Sequence, residues 1–341
     1  MNVRDDDQRG LAARFEAERG RLRAMAYRML GSSSEAEDAV QESWLRLSRA
    51  LAGHIAHGAA DGDADGDADA AADPTASPIR NLPGWLTTTV SRICLDMLRA
   101  RASRREDLVD QPTLAAVASP FPTEPEDEAV LADSAGRALL VVLDRLNPDE
   151  RVAFVLHDVF AVPFEEIAHV VDRTPQTTKK LASRARLKVR GVAESVAAST
   201  VELVRQRQIV DRFLSAARSG DLRAIIEILA PDVVRRADEA ALTPGRPIEA
   251  RGAESVAREI AVFGQGARVA ESALVNGTVG ILVAPRGRLH LVLVMTIDAE
   301  ADLITAYDLV AEPARLASLD LAVLDVADVA DAADAADAAR G

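Results

Sequence analysis

The segment from Pro163 to Arg190 constrains the fold of this chain more than any other. An apolar-striped helix from Phe164 leads into a turn at Asp172-Arg173. Thr174 followed by Pro175 then has the N-cap and first-position pattern of a second helix. That second helix is polar and basic in its N-terminal half. Two short helices joined by a tight turn, with this charge distribution, predict a helix-turn-helix whose second helix enters the major groove of DNA.

Charge is unevenly distributed along the chain. The net charge is −14, but Asp61 to Asp73 holds six acids and no base, and Asp320 to Gly341 holds six acids and one arginine. Arg173 to Arg190, by contrast, holds seven Lys or Arg and no acid. Such a local basic face indicates phosphate binding; the alternative is a solvated basic helix that packs on its neighbour. The residues predicted to contact DNA are Arg173, Thr174, Gln176, Thr177, Thr178, Lys179, Lys180, Ser183, Arg184 and Arg186.

Helical and strand patterns occupy different parts of the chain. Helical spacing of apolar residues extends to about Ala217, and β-type runs follow at 269–275, 279–284, 289–297 and 303–310. This order predicts a multidomain chain whose last folded part is α+β. Asp-Gly-Asp-Ala repeats and a Pro-rich stretch break the helical pattern. The predicted divisions are a helical domain at 11–106 with a disordered acidic insertion at 53–78, a linker at 107–132, the helix-turn-helix domain at 133–194, an α+β domain at 200–319 and an acidic low-complexity tail at 320–341.

Cysteine usage and hydropathy predict a cytoplasmic protein. Cys94 is the only cysteine, so no disulfide can form within the chain, and its apolar neighbours predict an inert core position. The charged N-terminus lacks the apolar region of a signal peptide, and no apolar run reaches the ~20 residues of a membrane helix. The Asp-rich run from Asp61 begins like a calcium loop, but Ala72 occupies the position of the bidentate Glu. We therefore expect no metal and no cofactor.

Two helix starts and one polar face are apparent upstream. Ser34 to Glu37 has the S-x-x-E form of a capping box, and Asn147, Pro148 and Glu150 form a second predicted helix start. The helix after Ser34 carries an apolar stripe that includes Trp44. Its opposite face carries Asp38, Gln41, Glu42 and Arg46.

A further helix, from Leu82 to Arg105, combines an aromatic residue with an arginine-rich end. Opening a DNA duplex requires a pocket for unstacked bases and cationic contacts to single-stranded phosphates. Trp85 and the arginines of this helix can supply both; the alternative is that Trp85 belongs only to the core.

The run from Leu143 to Gly191 closely resembles region 4 of the extracytoplasmic-function (ECF) sigma factors of the sigma-70 family. Ala26 to Leu47 resembles their regions 2.1–2.2, and Pro83 to Glu106 resembles regions 2.3–2.4, with Trp85-Leu86 matching a W-L pair. Three such motifs in the right order are far more specific than a helix-turn-helix alone. The matching region 4 residues are Leu143, Leu146, Pro148, Glu150, Arg151, Glu166, Ile167, Ala168, Arg184, Ala185 and Arg186.

The resemblance implies an RNA polymerase sigma factor without catalytic activity, whose all-α regions 2 and 4 bind the clamp and flap of core polymerase and promoter DNA. It implies that the −35 element is bound by the helix that contains Gln176. The residues it implies for the clamp are Asp38, Gln41, Glu42 and Arg46. Those for the −10 element are Trp85, Thr88, Arg92, Arg99 and Arg101.

The stretch from Leu203 to Leu319 resembles the SnoaL-like extension of one subgroup of ECF sigma factors, which implies an α+β cone with a curved antiparallel sheet. Two motifs that accompany this extension in the subgroup are altered in this chain. One is the linker motif, at Ser119–Pro125, and the other lies in the domain, at Asp238-Glu239-Ala240-Ala241. The extension is expected to regulate in cis, by clasping regions 2 and 4 or by binding a small-molecule ligand.

Two other functions remain open at the level of sequence. One is a helix-turn-helix regulator that acts without polymerase. The other is a SnoaL-like enzyme fused to a DNA-binding module, which would need a convergent acid-base set. The candidates for that set are His290, which lies in an apolar run typical of a structural histidine, and Asp232, Asp238, Tyr307 and Asp308.

Overall fold

A computed structural model of the chain describes residues 3–57, 81–107, 136–190, 200–243 and 245–323. The chain forms two compact units: Met1–Pro112 with Asn147–Ser183, and Thr113–Leu146 with Arg184–Gly341. The predicted region 2 and most of the helix-turn-helix therefore share one unit, whereas the span 133–194 is divided between both. The predicted insertion and linker both begin too early, because one helix continues to His57 and another to Asp107. From residue 58 on, the predicted insertion lies outside the described residues, as does the predicted linker from residue 108 on.

The first seven helices are divided between the two units. Helices α1 to α7 span Val3–Leu30, Ser33–His57, Leu82–Asp107, Arg137–Leu143, Pro148–Phe154, Phe164–Val171 and Pro175–Arg190. Helix α4 belongs to the second unit, and α7 begins in the first unit and ends in the second. A π-helical turn at Val155–Val159 continues α5.

The start of α2 differs from the prediction. Gly31 ends α1 with a φ of 71°. Ser32 rather than Ser34 caps the next helix, because its Oγ accepts the Glu35 N–H at 3.4 Å. The capping box predicted from Ser34 to Glu37 is therefore wrong. Glu37 instead pairs with Arg19 of α1, so this carboxylate joins two helices rather than closing one.

The starts of α5 and α7 agree with the sequence. Asn147 Oδ1 accepts the Glu150 N–H at 2.9 Å, and the Glu150 carboxylate accepts the Asn147 N–H at 3.4 Å, which together form the expected capping box. Asp172 closes the turn after α6 in the left-handed conformation, with a φ of 56°. Thr174 Oγ1 then accepts the Thr177 N–H at 3.2 Å and caps α7.

The second unit places four more helices around a seven-stranded sheet. Helices α8 to α11 span Thr200–Ser219, Leu222–Ile228, Ala253–Phe263 and Pro313–Ser318. Strands β1 to β7 span Leu229–Ala237, Glu249–Arg251, Ala270–Val275, Thr278–Val283, Leu291–Ile297, Ile304–Val310 and Leu321–Ala322. Their order in the sheet is β2-β1-β6-β5-β4-β3-β7.

The sheet is mixed rather than wholly antiparallel as predicted. β1 runs parallel to β6, whereas the other neighbouring pairs are antiparallel. β1 was not predicted, because helical spacing of apolar residues at Leu222, Ile225 and Leu229 precedes Pro231. Proline is tolerated here because the register shifts between Leu229 and Val234, where the ladder is already interrupted. β7 lies within the span 320–341 assigned to the tail, so the sheet extends into that span.

Candidate nucleic-acid and polymerase interfaces

The polar half of α7 forms an exposed surface at the start of the helix. Gln176, Thr177, Lys179 and Lys180 are exposed, and so are Ser183 and Arg184 on the next turns; Arg186 is half-buried. Thr174 is exposed as well, but its hydroxyl is engaged with Thr177. Most of the side chains predicted to contact DNA therefore lie together on the outer face of one helix.

Thr178 is the exception among these residues. Its side chain is fully buried, and its hydroxyl donates to the Thr174 carbonyl at 3.0 Å. Ala182, Ala185 and Val189 follow it at helical spacing and are buried too. Thr178 therefore belongs to the inner face of α7, and its assignment as a DNA contact was wrong.

Two of the arginines predicted for the −10 element contact the helix-turn-helix. Arg92 Nη2 donates to the His169 carbonyl of α6 at 2.7 Å. Arg99 donates from Nε and Nη2 to Asp149 Oδ1, in the first turn of α5. Arg173, in the turn before α7, lies 3.8 Å from the other oxygen of Asp149. Asp149, whose side chain is only 18% exposed, thus holds a residue from each predicted DNA surface.

The remaining residues of the predicted −10 surface are more enclosed. Arg101 donates to the Leu30 carbonyl at 3.0 Å and pairs with Glu35, so it joins α3 to the junction of α1 and α2. Trp85 and Thr88 are half-buried on α3. These three residues share the helix of Arg92 and Arg99, but Arg101 already has partners within the unit.

The predicted polymerase face lies on the outer side of α2. Asp38 and Gln41 are exposed, and Arg46 Nε donates to Glu42 Oε1 at 3.0 Å across one helical turn. The four residues therefore lie on one accessible stripe. Two of its charges already pair with each other.

Next to this stripe, α1 and α2 form a cleft of about 270 Å³. The Phe15 and Trp44 rings lie 5.0 Å apart in its wall, and Leu45 lines it while 47% exposed. Trp44 was predicted to lie on the apolar stripe of its helix, and no role was predicted for Leu45. The adjacent polar stripe was the signal that could have found them, because a rim of polar groups around an apolar centre is typical of protein interfaces.

The residues considered for catalysis do not come together in the second unit. Asp238 Oδ2 accepts the N–H groups of Ala311 and Glu312, each at 2.9 Å, and Oδ1 accepts that of Ala241. His290 is exposed just before β5, not buried as its apolar neighbours indicated. Tyr307 pairs in register with Met295, five residues further along β5 and hence roughly 17 Å from His290. Asp232 is exposed and Asp308 half-buried.

Comparison with known proteins identifies the family to which the helical regions belong. The models of sigma-70 region 2 and sigma-70 region 4 match residues 14–54 and 136–189. The ECF RNA polymerase sigma factor SigJ of Mycobacterium tuberculosis is 37% identical over 279 residues, which are 79% of this chain and 80% of SigJ. This chain belongs to the ECF RNA polymerase sigma factors. This ECF sigma factor is therefore a protein of transcription initiation, and its partners are core RNA polymerase and promoter DNA.

Other relatives carry the same family name. The probable ECF RNA polymerase sigma factor SigI of M. tuberculosis is 35% identical to this ECF sigma factor over 232 residues, 67% of this chain and 70% of SigI. The crystal structure of M. tuberculosis SigJ matches with a TM-score of 0.39 and 31% identity, over 90% of this chain and 98% of that one. Among the described residues, no helix is long and apolar enough to cross a membrane, and no three His, Cys, Asp or Glu residues cluster as a metal site.

Proposed function

We propose that this ECF sigma factor uses three surfaces in initiation: the α2 stripe for the polymerase clamp, α3 for the −10 element and the outer face of α7 for the −35 element. The exposure of Gln176, Lys179 and Lys180 on a helix whose opposite face is buried carries the last assignment. Amide and ammonium donors at the N-terminal half of such a helix reach base edges and phosphates in the major groove. We assign the contact with the polymerase flap to region 4. We also propose that the protein acts in the cytoplasm.

The polymerase surface has the composition of a binding site. Gln41 lines the cleft that contains Phe15 and Trp44, and Asp38 is exposed one turn earlier on the same helix. An aromatic anchor surrounded by polar groups is the usual arrangement of an interface hot spot. The cleft thus supports the stripe as the docking surface for the clamp.

We interpret the first unit as a closed state, in which region 2 lies against the helix-turn-helix. The two promoter elements lie about 25 base pairs apart, roughly 85 Å along B-DNA. A compact unit of about 150 residues measures only about 40 Å across. Since the two DNA surfaces are joined through Asp149, they must separate before both elements can be bound. Opening is therefore a step in the function that we propose.

The second unit supports regulation in cis, because it holds parts of region 4. Glu271 of β3 accepts the Ala138 N–H at the start of α4 at 2.8 Å, and lies 3.5 Å from Arg137. Arg145, just after α4, donates to the Leu316 carbonyl at 2.8 Å. Movement of region 4 is thereby coupled to the C-terminal domain.

Run-off transcription with core polymerase tests this proposal. We expect Asp38→Ala combined with Gln41→Ala to lower transcription by weakening core binding. A chain ending at Ala198 should change promoter-directed transcription, and Glu271→Ala should do so in the same direction with the domain still present. Unaltered transcription in both would contradict cis regulation. Tight promoter binding without core enzyme would instead favour a regulator that acts without polymerase.

A further inference from the structure

The acidic tail leaves the second unit beside the C-terminal end of α7. β7 pairs with β3, and the next residue, Val323, donates its N–H to the Val189 carbonyl at 2.8 Å. Asn276 Oδ1 accepts the Asp320 N–H at 2.9 Å and fixes the approach to β7. The chain is thus held one residue from the end of α7 where the tail begins. Residues 324–341 themselves lie outside the described residues.

The tail and α7 carry opposite charges. Residues 324–341 contain five aspartates, at every third position from 325 to 337, and one arginine. Residues 175–190 contain six Lys or Arg and no acid. The C-terminal part of this run, Arg184 to Arg190, shares the second unit with the attachment point of the tail. A single exposed ion pair contributes little binding free energy. Several charges that face several opposite charges together contribute more.

The tail is long enough to follow the basic face. From Val189 back to Lys179 the helix rises about 15 Å. Eighteen residues can span at most about 60 Å, which is more than this stretch of the helix. Because the tail is anchored at one end of α7, its local concentration there is in the millimolar range, far above that of a free peptide.

We propose that residues 324–341 bind the basic face of α7 in the same chain and compete there with DNA phosphates. This inference rests on the proposed role of α7 in contacting the −35 element. Aspartate carboxylates would occupy the places of phosphates, so DNA must displace the tail before it binds. Non-specific DNA only replaces the carboxylate contacts of the tail with phosphate contacts. Promoter DNA, in contrast, also forms contacts with its bases. Competition at a shared site lowers both affinities by the same factor, but promoter DNA starts from the higher affinity and stays bound at concentrations where non-specific DNA is displaced.

Carbodiimide crosslinking tests the contact directly, because the chain contains only three lysines and all of them lie on α7. They are Lys179, Lys180 and Lys188. Any amide formed between a lysine and a tail aspartate in the full chain therefore reports this contact, and peptide mass mapping identifies it. We expect such crosslinks within one chain and expect random-sequence 30-base-pair DNA to suppress them. Their absence would overturn the proposal, and so would crosslinks confined to covalent dimers, which would assign the tail to a second copy.

Binding of the same duplex, followed by fluorescence anisotropy, tests the competition. Replacing the five tail aspartates with Asn should tighten binding about tenfold at ~100 mM salt, and replacing them with Glu should leave it unchanged. The matched control neutralises five aspartates of the acidic insertion and changes net charge equally. Its substitutions are Asp61→Asn, Asp63→Asn, Asp65→Asn, Asp67→Asn and Asp69→Asn; those in the tail are Asp325→Asn, Asp328→Asn, Asp331→Asn, Asp334→Asn and Asp337→Asn. Equal gains in tail and control would overturn the proposal.

Run-off transcription distinguishes a failure of the proposed sigma-factor function from a failure of the proposed tail contact. A parent chain that binds no DNA through α7 and starts no transcription with core polymerase contradicts the proposed function. An active parent chain whose five-Asn tail variant gains no DNA affinity contradicts the tail proposal alone. Thus a failure of one is distinguishable from a failure of the other.

Discussion

Arg99 of α3 donates two hydrogen bonds to the Asp149 carboxylate at the start of α5, at 3.2 and 2.8 Å. The same carboxylate lies 3.8 Å from Arg173 in the helix-turn-helix. One acid therefore holds together side chains that we assign to different promoter elements. The closed state and the DNA-bound state compete for the same two arginines.

Asp149→Asn should favour the open state. The pair is partly exposed, so its loss is worth about 0.5–1 kcal/mol, which shifts the opening equilibrium about two- to fivefold. We expect the holoenzyme formed with this full-chain variant to bind promoter DNA correspondingly more tightly in a titration. Glu165→Gln, at an exposed carboxylate of α6, is the matched control and should have no effect. Affinity of Asp149→Asn equal to that of the parent would show that the pair does not limit opening.

Substitutions along α7 should separate base contacts from phosphate contacts. Gln176→Ala should weaken binding of the holoenzyme to its promoter by about 1–3 kcal/mol and leave random DNA unaffected. Arg184→Ala should weaken both and lower the salt dependence by about one counterion. Thr178→Val, at the buried position, should cost about 1 kcal/mol of stability and spare DNA affinity. If the folded Thr178→Val variant lost promoter binding, Thr178 would be a DNA contact after all.

Cys94 should make stability depend on pH in the alkaline range. Burial raises the pKa of its thiol from 9.0 to about 12, so above pH 9 the unfolded chain releases a proton that the folded chain keeps. The thiol's contribution to stability is complete below pH 9 and is lost as the pH rises towards 12, at up to about 1.4 kcal/mol per unit. Urea unfolding of the parent and of Cys94→Ala between pH 8 and about 10.5 should therefore converge. Parallel curves would contradict this burial of the thiol.

Adjacent arginines of β1 should differ sharply in their contribution to stability. Arg235 is 1% exposed, and its guanidinium binds both oxygens of Glu259 and the carbonyls of Pro247 and Ile248. Arg235→Ala leaves these acceptors unpaired and should lower the free energy of unfolding by about 3–5 kcal/mol. Arg236→Ala, at a 52% exposed side chain, should cost less than about 1 kcal/mol. Denaturant titrations of both variants measure the difference, and equal losses would contradict it.

Local signals predicted the helix-turn-helix well. The Asn147 cap, the Asp172 turn and the Thr174 cap each depend on residues within a few positions, and the structure has all three. The burial of Thr178 could also have been predicted from the sequence, because this residue precedes Ala182 and Ala185 at helical spacing. It was overlooked because a hydroxyl within a basic run indicated a DNA contact.

Other features depend on groups far apart in the chain. Arg99 and Asp149 are separated by 50 residues, and no spacing rule connects them. Ser32 and Ser34 both fit a cap, and only the packing of Glu37 against Arg19 distinguishes them. β1 was missed because its strand pattern contains Pro231, and its partner β6 occurs much later in the sequence.

The parallel pairing of β1 with β6 also determines the order in which parts of the chain can fold during synthesis. Leu229 pairs with Ile304, about 75 residues later, which a ribosome adds in roughly 4 to 15 seconds. Throughout that interval the nascent chain already contains α1 to α7, while the parallel pair of its sheet is still missing. Contacts between residues so distant in sequence also form slowly. A newly made sigma factor therefore exposes its promoter-binding helices before the domain that we assign to their control has folded.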